Sequence, residues 1–191
     1  MAIPAQLIND VVTITGRADL TNSLIPTAIQ QATLKEHAAD NYDRDLTSAV
    51  IPTNTDDLKF SLNMTSLTRP RRIQAVREPL ILGAGEIILF DKLSSEDLFD
   101  YFGSEKTNYY LKAGSSLNIT AARSVANIEI LYYQYPDVYI DYQSWIADAY
   151  PYVIADHAAS IVFKSIGKDD EAQRFRANAV ENRLLIASGE I

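Results

Sequence analysis

The spacing of apolar residues changes twice along this chain of 191 residues. In the first 45 residues, apolar side chains recur every three or four positions, which is the spacing of one helix face. From about Leu46 the pattern changes, and Leu58, Phe60 and Leu62 alternate with polar residues as in a half-buried strand. Helical spacing returns after Trp145. These changes predict an α+β protein with helical ends and a β-rich middle.

Two helices are predicted before residue 45. The first has Pro4 in its first turn and ends at Gly16, and the second begins near Ser23. Each has one stripe of residues at helical spacing: Leu7, Val11 and Ile14 in the first helix, and Ile25, Ile29, Ala32 and Glu36 in the second.

The C-terminal region is predicted to be helical from Trp145. After Pro151, two adjacent apolar stripes indicate a helix that is buried against other helices and ends at Gly167. A last helix begins near Asp169 and reaches nearly to Ile191. The economical architecture is a helical bundle formed by the N- and C-terminal segments, 1–45 and 143–191, with a β-rich insertion at 46–142 between them.

Short strands are predicted in the middle of the chain, because prolines and glycines interrupt it. The candidate strands are 58–64, 71–77, 86–90, 109–111, 114–119 and 128–133. A loop is expected at 46–57, a turn at 83–85 and a short capped helix at 94–101. Because side chains alternate along a strand, Ile128 and Ile130 should share one face and Leu131 should occupy the other.

The sequence carries no motif for chemistry. The chain has no cysteine, which excludes disulfides, thiolate zinc sites and a cysteine nucleophile. Its net charge of -8 argues against general DNA binding, which depends on Lys and Arg contacts with phosphates. Phosphate-binding loops and hydrolase serine motifs are missing, and no stretch approaches the roughly 18 apolar residues of a membrane span. We therefore predict no catalytic residue, no metal site and no cofactor.

His37 and His157 fall in different predicted helices, and two interpretations of them remain open. If the helices pack together, the pair could approach and bind a metal with Asp40 or Asp156. The alternative is a structural role, which is favoured because neither histidine lies in a spacing typical of metal ligands.

The order of elements in residues 108–145 resembles that of the head-to-tail adaptor proteins of tailed bacteriophages, particularly short-tailed ones. Three short strands lead into the final helices, and the last strand ends in Tyr132 and Tyr133 just before Pro136. The opening of the chain is also similar to that family, because an Arg/Asp/Leu turn at 17–20 joins a short helix to a longer one. Together the two matches cover most of the chain.

The resemblance implies a structural virion protein that is assembled in the host cytoplasm. Members of the family form a dodecameric ring beneath the portal protein and join the capsid vertex to tail proteins, which form the nozzle or bear the fibres. Double-stranded DNA would pass through the ring without sequence-specific binding, and no membrane contact is implied. The alternatives are another phage neck or tail-completion protein, or a small cytosolic enzyme with a site built from scattered Asp, Glu and His.

Arginines and tyrosines of the β-rich region are candidate contacts with other subunits. Arg69, Arg71 and Arg72 form the one basic cluster, which suits a solvated strand edge, an ion pair with an acidic neighbour or a phosphate contact. Tyr133 and Tyr135 suit either an interface or an ordinary surface, because an outward tyrosine buries a large rigid area with a polar tip.

The last helix supplies the other candidate contacts. Its apolar and cationic residues would suit an acidic, partly apolar groove on a portal ring, or would simply complete the helical bundle. The residues concerned are Arg174, Phe175, Arg176, Arg183, Leu184 and Ile186.

Overall fold

The structure is a computed structural model that describes residues 2–53, 56–79, 87–94 and 106–188. The described α-helices are α1 (Ala5–Thr15), α2 (Leu24–Ala39), α3 (Trp145–Ala149), α4 (Pro151–Ser165) and α5 (Asp169–Ser188). The described strands are β1 (Leu46–Pro52), β2 (Lys59–Asn63), β3 (Pro70–Arg77), β4 (Leu89–Lys92), β5 (Tyr109–Ala113), β6 (Ser116–Thr120) and β7 (Asn127–Gln134). The chain divides into two compact units: unit 1 is Met1–Asp45 with Tyr135–Ile191, and unit 2 is Leu46–Gln134.

The fold is α+β, but the predicted architecture of a helical bundle with a β-rich insertion is wrong. All seven described strands belong to one mixed sheet, in the order β1-β7-β3-β4-β5-β6-β2. This sheet has a hydrophobic core of its own, so it is a principal part of the fold and not an insertion into a bundle. The expected loop at 46–57 is also corrected, because Leu46–Pro52 forms an edge strand that pairs with β7.

Strand β7 organises one half of the sheet, since it pairs antiparallel with both β1 and β3. Strand β4 changes partner along its length. Its residues Leu89 and Phe90 pair with β3, whereas Asp91 and Lys92 pair in parallel with β5. Strand β4 therefore joins the β1–β7–β3 half of the sheet to the β5–β6–β2 half.

The predicted facing of β7 is confirmed. Ile128 and Ile130 are fully buried in the core of unit 2, and Leu131 on the opposite face is half-buried. The alternation predicted around Leu62 is confirmed as well, because β2 buries Leu62 and exposes Lys59 and Ser61.

Helices α1, α2, α3 and α4 enclose the main core of unit 1. The predicted ends are confirmed at Gly16, which has a left-handed φ of 65° after α1, at Pro151, which begins α4, and at Gly167, whose φ is 76°. Leu7, Val11 and Ile25 are among the buried residues of this core. None of the helices in the described ranges is long and apolar enough to cross a membrane.

Residues 135–142 belong to unit 1, although the sequence pattern predicted them in the β-rich part. Val138 and Tyr142 are buried in the helical core, and the Tyr142 hydroxyl hydrogen bonds with Thr33 at 2.7 Å. Two predictions concern residues outside the described ranges: the turn at 83–85 and, apart from Ser94, the helix at 94–101. The strand predicted at 86–90 is observed at Leu89–Lys92, and residue 86 is likewise outside the described ranges.

Candidate functional site

A buried carboxylate joins three helices of unit 1. Glu36 of α2 is fully buried and accepts a hydrogen bond from Nδ1–H of His157 in α4. Two guanidinium groups of α5 lie close to the same carboxylate, that of Arg176 at 3.7 Å and that of Arg183 at 3.5 Å. Because these arginines are seven residues apart, they share one face of the helix. We call these four residues the Glu36 cluster.

The contacts of the Glu36 cluster favour neutral His157. Its Nδ1–H donates to Glu36, and its Nε2 accepts from the guanidinium of Arg176. Burial lowers the pKa of His157, because loss of solvent disfavours the charged imidazolium, and this outweighs the opposing effect of Glu36. The positive charges of Arg176 and Lys35 lower the pKa further.

The lowered pKa of His157 predicts that the protein loses stability on acidification. In the unfolded chain the imidazole titrates near ~6.5, so below that pH the unfolded state binds more protons than the folded state. The free energy of unfolding should therefore fall as the pH is lowered from about 7 to about 5. Urea unfolding followed by circular dichroism measures this, and His157→Gln should show a shallower decline. Equal declines in the two proteins would contradict the assignment.

A second buried cluster is centred on His37. Its Nδ1–H donates to Asp45 at 2.9 Å, and its Nε2 accepts from the Ser144 hydroxyl at 2.9 Å. The indole N–H of Trp145 donates to the same carboxylate at 2.8 Å. We call these four residues the His37 cluster.

The His37 cluster has the order of hydrogen bonds found in serine hydrolases, but its serine is poorly placed for attack. A nucleophile must reach its substrate, and Ser144 is only 4% exposed. Its Oγ also accepts the backbone N–H of Ala147 at 3.1 Å, which caps the N-terminus of α3. We therefore assign the cluster a structural role, in which it ties α3 to α2 and to Asp45.

The two histidines occupy separate clusters. His37 contacts Asp45 and His157 contacts Glu36, whereas the metal interpretation paired them with Asp40 or Asp156. Among the residues that the structure describes, no group of three or more His, Cys, Asp and Glu side chains is placed to hold a metal ion.

A pocket of about 380 Å³ opens beside the Glu36 cluster. Its lining combines the buried polar residues His157 and Ser160 with the apolar Ile161 and Ala172. Three cations and one acid also line it, namely Lys35, Lys164, Arg176 and Asp169. The whole chain has a net charge of -8, so this basic pocket is a local region whose charge is opposite in sign to that of the protein.

The predicted arginine and tyrosine contacts of unit 2 lie at the end of β7 and the start of β3. Arg69 and Arg72 are exposed, and Arg69 has a left-handed φ of 45°. The guanidinium of Arg71 lies over the ring of Tyr133, 5.3 Å from its centroid, and Tyr133 is buried. In unit 1, Tyr135 is half-buried.

The candidate contacts of α5 do not form one surface. Phe175 stacks on Phe163 with ring centroids 5.4 Å apart, and Ile186 packs against the main core of unit 1. Arg176 and Arg183 belong to the Glu36 cluster, and Arg174 lies over the ring of Phe175. Of the six, Leu184 is an exposed apolar residue, with 60% of its surface accessible.

An exposed apolar tip in unit 1 was not predicted from the sequence. Tyr139 and Ile140 are 73% and 88% exposed, the highest values among the large apolar residues described. The tip is ordered by Asp137, whose Oδ1 accepts the backbone N–H groups of Tyr139 and Ile140 at 3.1 and 3.0 Å. The N–H of Gln143 closes the loop by donating to the carbonyl of Asp137 at 2.7 Å. The sequence signal that could have revealed this tip is the apolar pair Tyr139 and Ile140, which lies between Asp137 and Asp141. We call residues 137–143 the tip loop.

Comparisons with known proteins give no family assignment. The sequence matches no protein-family model, and no curated protein is significantly similar to it.

Proposed function

We propose that this protein is a head-to-tail adaptor of a tailed bacteriophage. In this proposal it forms a dodecameric ring beneath the portal protein, joins the capsid vertex to the tail and continues the DNA channel. The order of elements supports the proposal, because a short 3₁₀ turn at Ala18–Leu20 joins two N-terminal helices and strands β5 to β7 precede the last three helices.

The observation that carries the proposal is the exposure of adjacent apolar side chains at two places in unit 1. Tyr139 and Ile140 lie in the tip loop, and Leu184 and Leu185 lie near the end of α5. Single apolar residues on a surface are common, but grouped ones mark contacts with other proteins. The Arg183 contact with Glu36 anchors α5 just before its exposed leucines, so these are held in a defined position for a partner.

The net charge agrees with a protein that conducts DNA without retaining it. Affinity for duplex DNA comes from cations that release counterions from its phosphates, and an acidic wall offers few such contacts. The proposed function is therefore geometric: repeated interfaces around an axis build the ring, and no chemical step is required.

Portal binding tests the proposal. Electron microscopy of the protein mixed with its portal should show a twelve-subunit ring on the portal. Leu184→Glu should abolish co-sedimentation with the portal, because an interface that covers this position would have to bury a charge. The matched control is Val50→Glu, which places the same charge at an exposed apolar position of unit 2.

The outcome separates the alternatives. Normal portal binding by Leu184→Glu would show that the end of α5 does not contact the portal. Failure of the wild-type protein to bind the portal, with binding to isolated tail proteins, would instead support a tail-completion protein.

A further inference from the structure

We propose that the tip loop of one subunit inserts Ile140 into the basic pocket of the next subunit. This inference rests on the proposed function, because it specifies the contact between neighbouring copies that would close the ring. The donor is the loop 137–143, and the acceptor is the pocket lined by Lys35, Ile161, Lys164, Ala172 and Arg176.

The tip loop is built to insert into another surface. Two backbone N–H groups bind the side chain of Asp137, and the backbone hydrogen bond from Gln143 closes the loop, so the loop is held in one conformation. Association loses less entropy when the inserting segment is already ordered. Ile140 is 88% exposed, so covering its apolar side chain is favourable.

The basic pocket offers a matching environment for that side chain. Ile161 and Ala172 supply apolar wall, and the volume of about 380 Å³ leaves room for a side chain to enter. Insertion of Ile140 would release water from apolar surface on both partners.

Charge complementarity identifies a second copy of this chain as the occupant. Asp137 and Asp141 flank the apolar tip, whereas Lys35 and Lys164 line the pocket with the single acid Asp169; Arg176, which also lines it, pairs with Glu36. Copies with a net charge of -8 repel one another in general, so a local region of opposite sign favours their contact. The pocket provides that region, and cations facing carboxylates fix the register of such contacts.

Because the tip loop and the pocket of one subunit are proposed to contact two different neighbours, the contact is heterologous. In an open row of subunits joined by a heterologous contact, the subunit at one end has a free tip loop and the subunit at the other end has a free pocket. Repetition then produces a closed ring when the rotation between neighbours closes, which is the assembly that the proposed function requires.

Cysteine trapping tests the contact directly, because the natural chain contains no cysteine. The double variant Ile140→Cys with Gln173→Cys places one thiol on the tip and one at the pocket. Mild oxidation should give a ladder of disulfide-linked subunits, with and without portal. The matched control pairs Ile140→Cys with Lys112→Cys on β5, and should give about tenfold less product or lower, because docking raises the effective concentration of the thiols.

A charge exchange provides the second measurement. Asp141→Lys and Lys164→Glu should each weaken association of the otherwise natural protein about tenfold or more, because each places like charges together. The double variant restores opposite charges in every contact and should recover association. Lys112→Glu is the control for a change of charge away from the pocket.

The outcomes distinguish this inference from the proposed function. A portal-bound ring without tip–pocket trapping, or without rescue by the double charge variant, would overturn the inference and leave the adaptor function standing. Trapping and rescue in a protein that does not bind the portal would support the contact and overturn the adaptor function.

Discussion

Replacing Glu36 by alanine is expected to destabilise the protein by about 3 kcal/mol, because the change removes one partner of a buried ionic cluster. Glu36 is fully buried, so the N–H of His157 is left without its acceptor in the interior. Arg176 and Arg183 keep 44% and 21% of their side-chain surface exposed and can turn partly to water. The effect should therefore lie at the lower end of the 3–5 kcal/mol typical of broken buried pairs.

Urea unfolding followed by the fluorescence of Trp145, the one tryptophan of the chain, measures this loss in unit 1. Glu36→Gln is the matched variant, because its amide oxygen still accepts from His157 while the charge is lost, and its effect should be intermediate. Glu171→Ala removes a carboxylate that pairs with Lys168 on the surface, and should cost less than about 1 kcal/mol. A similarly small loss for Glu36→Ala would mean that the cluster does not hold the three helices together.

The ends of the helices could be predicted because their chemistry is local. Gly16 and Gly167 adopt left-handed φ values that favour glycine. Pro151 has no N–H, which costs nothing in the first turn of a helix, where N–H groups have no partner within the helix. Such signals depend only on a few neighbouring residues. For the same reason, the alternation at Leu62 and Ile130 was sufficient to predict which side chains face the core.

The predicted architecture was wrong where contacts between distant segments of the chain determine the fold. Strand β1 carries Val50 and Ile51 side by side and shows little alternation, so its sequence did not indicate a strand. It is a strand because β7, far along the chain, supplies its partner. Strand formation depends on neighbouring strands more than on intrinsic preference, which explains why a sheet core was mistaken for an insertion.

The buried clusters were missed for a related reason. The metal interpretation named Asp40 or Asp156 beside the histidines, whereas in the structure His37 contacts Asp45 and His157 contacts Glu36. One signal was present, since Glu36 falls on the apolar stripe of α2, where an acid has to be paired if it is buried. The identity of its partners depends on how α4 and α5 pack against α2, which local pattern does not determine.

The second large effect is expected from Ile130→Ala in the core of unit 2. Ile130 is fully buried in the middle of β7, where it lies opposite Ala49 of β1 and Val76 of β3. Because hydrogen bonds hold both neighbouring strands in register, they cannot close fully around the space left by the lost methyl and methylene groups. The change should therefore lower the free energy of unfolding by ~2–5 kcal/mol. Part of this loss comes from the apolar groups that are no longer buried, and part from the cavity that remains.

The matched control for Ile130→Ala is Leu131→Ala, because Leu131 is adjacent on the same strand and half-buried on the opposite face. It removes a side chain of similar size, so an equal loss in both variants would show that the two faces of β7 are packed alike. Urea unfolding followed by far-ultraviolet circular dichroism gives the two free energies, and hydrogen exchange of the β7 amides locates the change. Near-natural stability of Ile130→Ala would mean that the sheet, despite its buried residues, depends little on the packing of this face.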